Sequence, residues 1–493
     1  MRLLNHQTAS TAGKVTVSPE TTHASSSLFL AILFLLMMLL QVISLTIPEQ
    51  TIWRTGLAMA SAILTLTAIG QSKPLERRLP LGLILTGIVV FVFTRVPFDR
   101  WIHGFAYMFD LAALVAVAPI IQLLFARRQY SKALVKTMSI SSDFKMMAWS
   151  SISIHLLGVV SLVGAFPIVY EMMLSRKGVM GKDRFDDLMV RSMIQGFGVT
   201  AVWSPVSPNM AIALSVAGLR WTEVLPWVLP LAIGAMLLSL LEQRFYLWIR
   251  SRREQTQLPA VQRPVMPRVG RQMVPPVQDR VSREDVLRCL ELLVLLIVFP
   301  TTVVLLEHGT GWPILALVPF VAVIMTLLGF LLTGEKGCLE EVQTFFVKHV
   351  PHKTKQMVLF LAAGVAAYAL KESGLASQLI LGLNGLFGSE AAAFLLVLPP
   401  TIAISSMAGF PPLVIVALLA ASIDPATLQL EPVQLVFALA GGASLGLILS
   451  PVAGSVVITS SMTSRDAFRV GIRTNGVFAL LLFFYVEAAL LLL

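Results

Sequence analysis

The chain has 493 residues, of which 56% are hydrophobic and 13% charged. A soluble chain of ordinary composition carries about a quarter charged residues, so a water-soluble globular protein is excluded. The net charge of +10 does not indicate nucleic-acid binding, because the basic residues fall in short loops between apolar runs, the pattern that orients helices in a bilayer. The two cysteines, Cys289 and Cys338, fit neither a metal site nor a disulfide framework.

Residues 1–27 are polar, with Ser/Thr clusters and no short apolar core ahead of a cleavage site. They predict a disordered cytoplasmic tail. Apolar runs of about 20 residues then predict membrane-crossing helices, since hydrocarbon requires every backbone polar group to be bonded within the segment. The first four spans lie at about 28–47, 51–70, 79–98 and 105–125. Lys73, Arg77 and Arg78, and later Arg127, Arg128, Lys132 and Lys136, mark cytoplasmic loops. Residues 127–140 read as an amphipathic stretch along the inner surface.

Segment 146–175 is apolar but interrupted by Ser161, Gly164 and Pro167, and a basic loop, 175–184, follows it. A single crossing would put that loop outside; a hairpin that enters and leaves on one face keeps it inside. The positive-inside pattern therefore predicts a re-entrant hairpin. An interrupted span at 188–218 and a span at 222–248 follow. The Pro- and Arg-rich stretch 249–285 predicts a cytoplasmic linker between a first membrane half (28–248) and a second (286–493). The second half reads as spans at 286–306, 311–333 and 357–371, a surface stretch at 372–388, a hairpin at 390–423 opening outside, a broken span at 431–463 and a last span at 470–493. The fold class is thus an all-α polytopic membrane protein with about 11 transmembrane helices, two re-entrant hairpins and two broken helices. The N-terminus is expected in the cytoplasm and the C-terminus outside, in a bacterial inner membrane.

The two halves repeat. Ser161, Gly164 and Pro167 recur as Ser406, Gly409 and Pro412 at an offset of 245, and the tripeptide SPV at 204–206 recurs at 450–452, offset 246. The first copy, about 50–248, begins outside and the second, 286–493, inside, so the copies are inverted. Inverted repeats with broken helices are a common build of secondary transporters. A proline inside a helix frees backbone groups, and at membrane depth these are tolerated only where protein or a wet cavity satisfies them. Ser204-Pro205, Ser207-Pro208 and Ser450-Pro451 read as N-cap and first helical residue of restarted helices, with Asn209, Ser455 and Thr459 just beyond. Together with Ser405, these residues form the candidate substrate- and ion-binding set, in which helix N-termini attract anions and helix-end carbonyls suit Na⁺.

On these hairpins, breaks and surface stretches, the chain from about residue 50 to 493 resembles the ion transporter superfamily, which includes citrate-type divalent anion–sodium symporters and arsenite permeases. The stretch 361–388 looks like that family's lead into its second hairpin. The resemblance implies a homodimer, elevator-like movement of hairpins and broken spans past a scaffold, and a site between the two tips and two breaks. Dicarboxylate members carry Ser-Asn-Thr at both tips; here Ser161-Leu162-Val163 and Ser406-Met407-Ala408 stand instead. That departure points to a less polar substrate or an ion held mainly by backbone.

Ionisable residues within spans are few and frequently functional. Asp110, His155 and Glu171 are the candidates for proton coupling. Each also has a structural reading: an interfacial or scaffold Asp110, a satisfied core His155, and a Glu171 paired with Arg176 or Lys177. Glu487 reads as interfacial, and no Arg or Lys is expected deep in a span. HExxH, GxGD and GxxxxGK[ST] motifs are absent, which argues against an enzyme or an ATP-driven pump. The expectation is a secondary transporter of a small anion or organic ion with Na⁺ or H⁺ as coupling ion and no other cofactor or metal. A membrane subunit of a tripartite carrier and a passive channel are the alternatives.

Overall fold

The computed structural model describes all residues except 1–23, 75, 129, 138–139, 141, 258–280, 335–336, 376–390, 424 and 426–430. The expected tail lies mostly outside these residues, as does most of the second surface stretch at 372–388. Among the described residues every regular element is helical and none is a strand. Ten helical segments among the described residues are long and apolar enough to cross a membrane, and three shorter apolar helices accompany them. The chain is a polytopic helical membrane protein. Many large apolar side chains point outward, for example Leu293, Val294 and Ile297, a surface that suits lipid and not water.

The elements run in order as α1 Ala24–Thr46, α2 Thr51–Gln71, α3 Arg78–Phe93, α4 Phe98–Trp101, α5 Phe109–Val117, α6 Ile121–Arg128, α7 Tyr130–Thr137, α8 Asp143–Ser161 and α9 Ala165–Met173. They continue with α10 Lys177–Met180, α11 Lys182–Trp203, α12 Pro208–Ala217, α13 Trp221–Gln257, α14 Arg283–Thr310, α15 Ile314–Thr333, α16 Cys338–Thr344, α17 Val350–His352 and α18 Thr354–Ser373. The last are α19 Ala391–Met407, α20 Pro412–Ser422, α21 Pro432–Leu449, α22 Gly454–Thr463 and α23 Thr474–Leu492.

Several expected boundaries move. Residues 24–27 belong to α1 and not to a tail. The span at 79–98 ends at Phe93, because Arg95 takes a left-handed φ of 56° and Pro97 follows. The span at 105–125 is not one helix: Pro119 sits in a 3₁₀ turn between α5 and α6. At the linker, 249–257 prolong α13, whose next proline is Pro259, and 283–285 open α14. Ser282 caps α14 in a reciprocal capping box with Asp285.

Two packing groups organise the bundle. In one, α3 lies along α18, α5 packs on α18, α15 on α5 and α14 on α15. There Lys355 Nζ donates to Glu76 Oε1 at 2.8 Å, which holds the Glu76 carboxyl below the usual carboxylate range. In the other, α8 lies along α11, α19 along α21, and α11 crosses α21. Glycine permits the tight pairs: a Cβ on Gly196 would lie 2.4 Å from the Ser151 carbonyl oxygen, and one on Gly442 2.9 Å from Pro399 Cα.

Candidate functional site at two helix breaks

Helices α11 and α12 are joined by a proline turn. Ser204 closes α11, its N–H donating to the Thr200 carbonyl at 3.1 Å, and Ser207 N–H donates to the Ser204 carbonyl at 3.1 Å. Pro205 is the second residue of that turn, where a fixed φ near −65° is favourable. Ser207 then takes the N-cap position, with Pro208 as first residue of α12. Helices α21 and α22 are joined in the same way. Ser450 N–H donates to the Gly446 carbonyl at 2.9 Å, and Ala453 N–H to the Ser450 carbonyl at 3.2 Å. The Ser-Pro pairs at 204–205 and 450–451 therefore do not cap restarted helices; they make the turns, and the new helices start three residues later. Only Ser207-Pro208 behaves as a cap and first turn.

The two broken pairs correspond residue by residue. A spacing of 246 relates Ser204 to Ser450, Pro208 to Gly454, Ala217 to Thr463, and left-handed Gly218 to left-handed Ser464. The same spacing separates Gly198 and Ser444, where the Ser444 hydroxyl donates to the Gly198 carbonyl at 2.8 Å. Equivalent positions thus meet where α11 and α21 cross.

The interrupted segments reverse locally. After α8, Leu162 takes φ 49°, ψ −131°, a conformation that costs a bulky residue on the order of 1–3 kcal/mol. After α19, Gly409 takes φ 101°. There Phe410 N–H donates to the Ser405 carbonyl at 3.2 Å and Gly409 N–H to the Ser406 carbonyl at 3.1 Å, the two bonds of a Schellman motif. Helix α8 packs against α9, and α19 against α20.

These turns converge on the breaks. A Cβ on Gly454 would lie 3.2 Å from Val163, so the first turn reaches the start of α22. A Cβ on Gly446 would lie 2.8 Å from Ser406 Oγ and 2.9 Å from Pro412, so the second turn sits on α21 ahead of its break. Helix α12 packs on α20. At the two turns and the first break, Ser161, Ser406, Ser204 and Asn209 are buried, and Ser161 Oγ, Ser204 Oγ, Asn209 Oδ1 and Ser406 Oγ have no hydrogen-bond partner. Buried polar atoms are rarely left unsatisfied. Pro205, Ser207 and Pro412 are buried beside them, and Ser405, Gly409 and Pro451 are half-buried. The polar side chains of the second break are already bonded: Ser455 to the Leu447 carbonyl and Thr459 to the Ser455 carbonyl, both at 2.8 Å, while Ser450 Oγ accepts from Val452 N–H at 3.4 Å.

Gly164 lies at the edge of a cavity of about 440 Å³ between α6–α7 and α9, lined by Gln122, Tyr130, Lys132, Gly164, Pro167 and Glu171 among others. A Cβ at Gly164 would lie 2.1 Å from Gln122 Nε2. Pro167 is exposed on this cavity and not enclosed with the breaks. Glu171 is also exposed there, and the expected pairing fails: Arg176 and Lys177 lie 3.9 Å from Asp143 and Asp186 instead.

Of the other ionisable candidates, Asp110 accepts from Gln41 Nε2 at 2.5 Å, tying α5 to α1. His155 is a satisfied core residue: its Nδ1 faces the Gly196 carbonyl at 3.2 Å, and its Nε2 accepts from Trp203 Nε1 at 3.0 Å. Arg191 was not expected inside a span, yet it is buried in α11, ion-paired with buried Glu242 of α13. Its guanidinium lies 3.9 Å from the centre of the Tyr246 ring. Gln195 Nε2 donates to Glu242 at 3.0 Å, and Ser239 and Gln243 donate to Gln195 Oε1 at 2.8 and 3.0 Å. The sequence signal was there in Glu242-Gln243 inside an apolar run. Among the described residues no group of three or more His, Cys, Asp or Glu could hold a metal ion. No protein-family model matches the chain, and no curated protein matches it significantly.

Proposed function

We propose that the chain is a secondary active transporter whose substrate and coupling ion meet at the two breaks. The observation that carries this reading is the pair of broken helices with matching turns at a spacing of 246, crossing at Gly198 and Ser444, with unpartnered buried oxygens at the first break and at both neighbouring turns. In this reading the segments α8–α9 and α19–α20 are re-entrant hairpins. The two halves are inverted repeats, and the chain has its N-terminus in the cytoplasm. The packing of each interrupted segment on itself and the basic residues after α9 support that topology.

The chemistry follows from the ligands available. Hydroxyl and amide oxygens, with carbonyls at the ends of α11 and α21, suit a hard cation such as Na⁺. The N-terminal ends of α12 and α22 suit a small anion or the anionic end of an organic ion. The cavity at Gly164 is an access route from the α6–α7 side to the first hairpin. A transport cycle moves the α8–α13 and α19–α23 group against α3, α5, α14, α15 and α18 in an elevator-type motion. The chain acts as a dimer in this reading.

The test is thermal unfolding of purified protein in choline, Na⁺ and acidic media, each with a panel of anions. Ligand that binds only the folded state stabilises by RT ln(1 + [L]/Kd), about 2.7 kcal/mol at a hundredfold excess over Kd. Stabilisation by Na⁺ or an anion is the predicted result. Identical unfolding curves in every medium contradict the proposal.

A further inference from the structure

Several acidic or imidazole groups lie within the membrane-spanning helices, and most are engaged. Asp110 is bonded to Gln41, His155 uses both ring nitrogens, Glu242 is paired with Arg191 and Gln195, and Glu171 faces an open cavity. Glu487 on α23 differs from all of them. Both of its carboxyl oxygens are buried, and neither has a hydrogen-bond partner.

We propose that Glu487 is a proton-binding site, whose carboxyl is held as the neutral acid within the helical bundle. An ionised carboxylate without water, cation or donor costs far more than a neutral acid in the same place. Among the described residues no ion pair or hydrogen bond reaches its carboxyl. Helices α21 and α19 carry no ionisable side chain over their described length. The acid at the start of α21 is its exposed N-cap, Glu431. Helix α21 meets α23 through Gly441 at Val486 and Gln434 at the Leu490 carbonyl.

Helix α13 meets it through Gly234 at Tyr485. The charged groups of α13 nearest that contact are Glu223, 11 residues before it, and Glu242 and Arg244, eight and ten after, roughly 16, 12 and 15 Å along the axis; the Arg244 guanidinium lies over the Phe144 ring, 5.4 Å from its centre. The charges of α11 run from Lys182 to Arg191, in its first three turns. Arg469 and Arg473 lie before α23, and Arg473 is 14 residues from Glu487, roughly 21 Å of helix.

The proton site does not depend on the carrier reading. Within that reading it seats a coupling proton on the helix packed against α21, the helix that ends in the second break.

The test is modification by dicyclohexylcarbodiimide, an apolar reagent that takes a protonated carboxyl. The acid oxygen bonds to the central carbodiimide carbon and the acid proton passes to nitrogen, so the whole reagent is retained and nothing leaves. Membranes are treated over a pH series from acid to neutral and peptides analysed by mass spectrometry. The expected result is an adduct at Glu487 that persists as the pH is raised beyond the point where labelling of Glu76 is lost. A water-soluble carbodiimide does not reproduce the adduct, and it is absent from Glu487→Gln, which unfolds at the wild-type temperature. Three results overturn the proposal: no adduct at Glu487, equal labelling by the water-soluble reagent, or loss of labelling in parallel with Glu76. Because the readout needs no transported substrate, its failure is distinguishable from failure of the carrier reading.

Discussion

The two breaks share their turn geometry but not their polar chemistry. In the first, Ser204 Oγ and Asn209 Oδ1 are buried without partners, and Ser161 Oγ of the neighbouring turn is in the same condition. In the second, Ser450, Ser455 and Thr459 all have backbone partners, while Ser406 Oγ beside Gly446 and Asn475 Oδ1 at the start of α23 are buried without partners. A repeated backbone therefore carries two different sites. At the first the side chains of the break itself are spare acceptors for a ligand; at the second they are taken by backbone hydrogen bonds, which leaves backbone and neighbouring groups to meet a ligand. The polar support differs as well, since the Arg191–Glu242 pair and the Gln195, Ser239 and Gln243 ladder stand only behind the first break.

Breaking that support has the largest expected effect. Arg191→Met leaves Glu242 buried with its cation gone, which costs about 3–5 kcal/mol. The double variant Arg191→Met/Glu242→Leu recovers most of it, as measured by unfolding in detergent. Next is a matched pair of truncations. Asn209→Ala removes an unpartnered acceptor and abolishes stabilisation by Na⁺, a loss of about 2.7 kcal/mol at a hundredfold excess over Kd. Thr459→Ala removes a hydroxyl bonded within its own helix and leaves that stabilisation in place. Equal losses in the two variants would erase the distinction between the breaks. The smallest effect is at the crossing itself. Ser444→Ala removes one hydrogen bond to Gly198 and lowers stability by about 1 kcal/mol in either medium, with the response to Na⁺ unchanged.

The sequence made the helical membrane class legible because a span needs a long apolar run and little else. It also marked the breaks, since SPV and its recurrence sit where α11 and α21 end. What the Ser-Pro pairs would do there was misread. Serine before proline fits an N-cap and the start of a turn equally well, and only the Ser207 and Ala453 backbone bonds separate the two. The interruption at Pro119 was missed because flanking apolar residues keep the hydropathy high. The partners of Arg191 were illegible for another reason: Glu242 lies 51 residues away, and no local spacing joins them. Which polar atoms stay unpartnered, and so which break is open to a ligand, depends on packing that no motif records.

The most direct measurement is the sidedness of the segment after α9, which includes α10. Gly178 is exposed, and a side chain there meets no neighbour, so Gly178→Cys, made after Cys289 and Cys338 are replaced by serine, is a benign reporter. If α8–α9 is a hairpin and the halves are inverted, a membrane-impermeant thiol reagent labels this cysteine only from the cytoplasmic side. Labelling of intact cells from outside would mean that α8–α9 crosses the membrane once, and the inverted pair of transport units would fall with it.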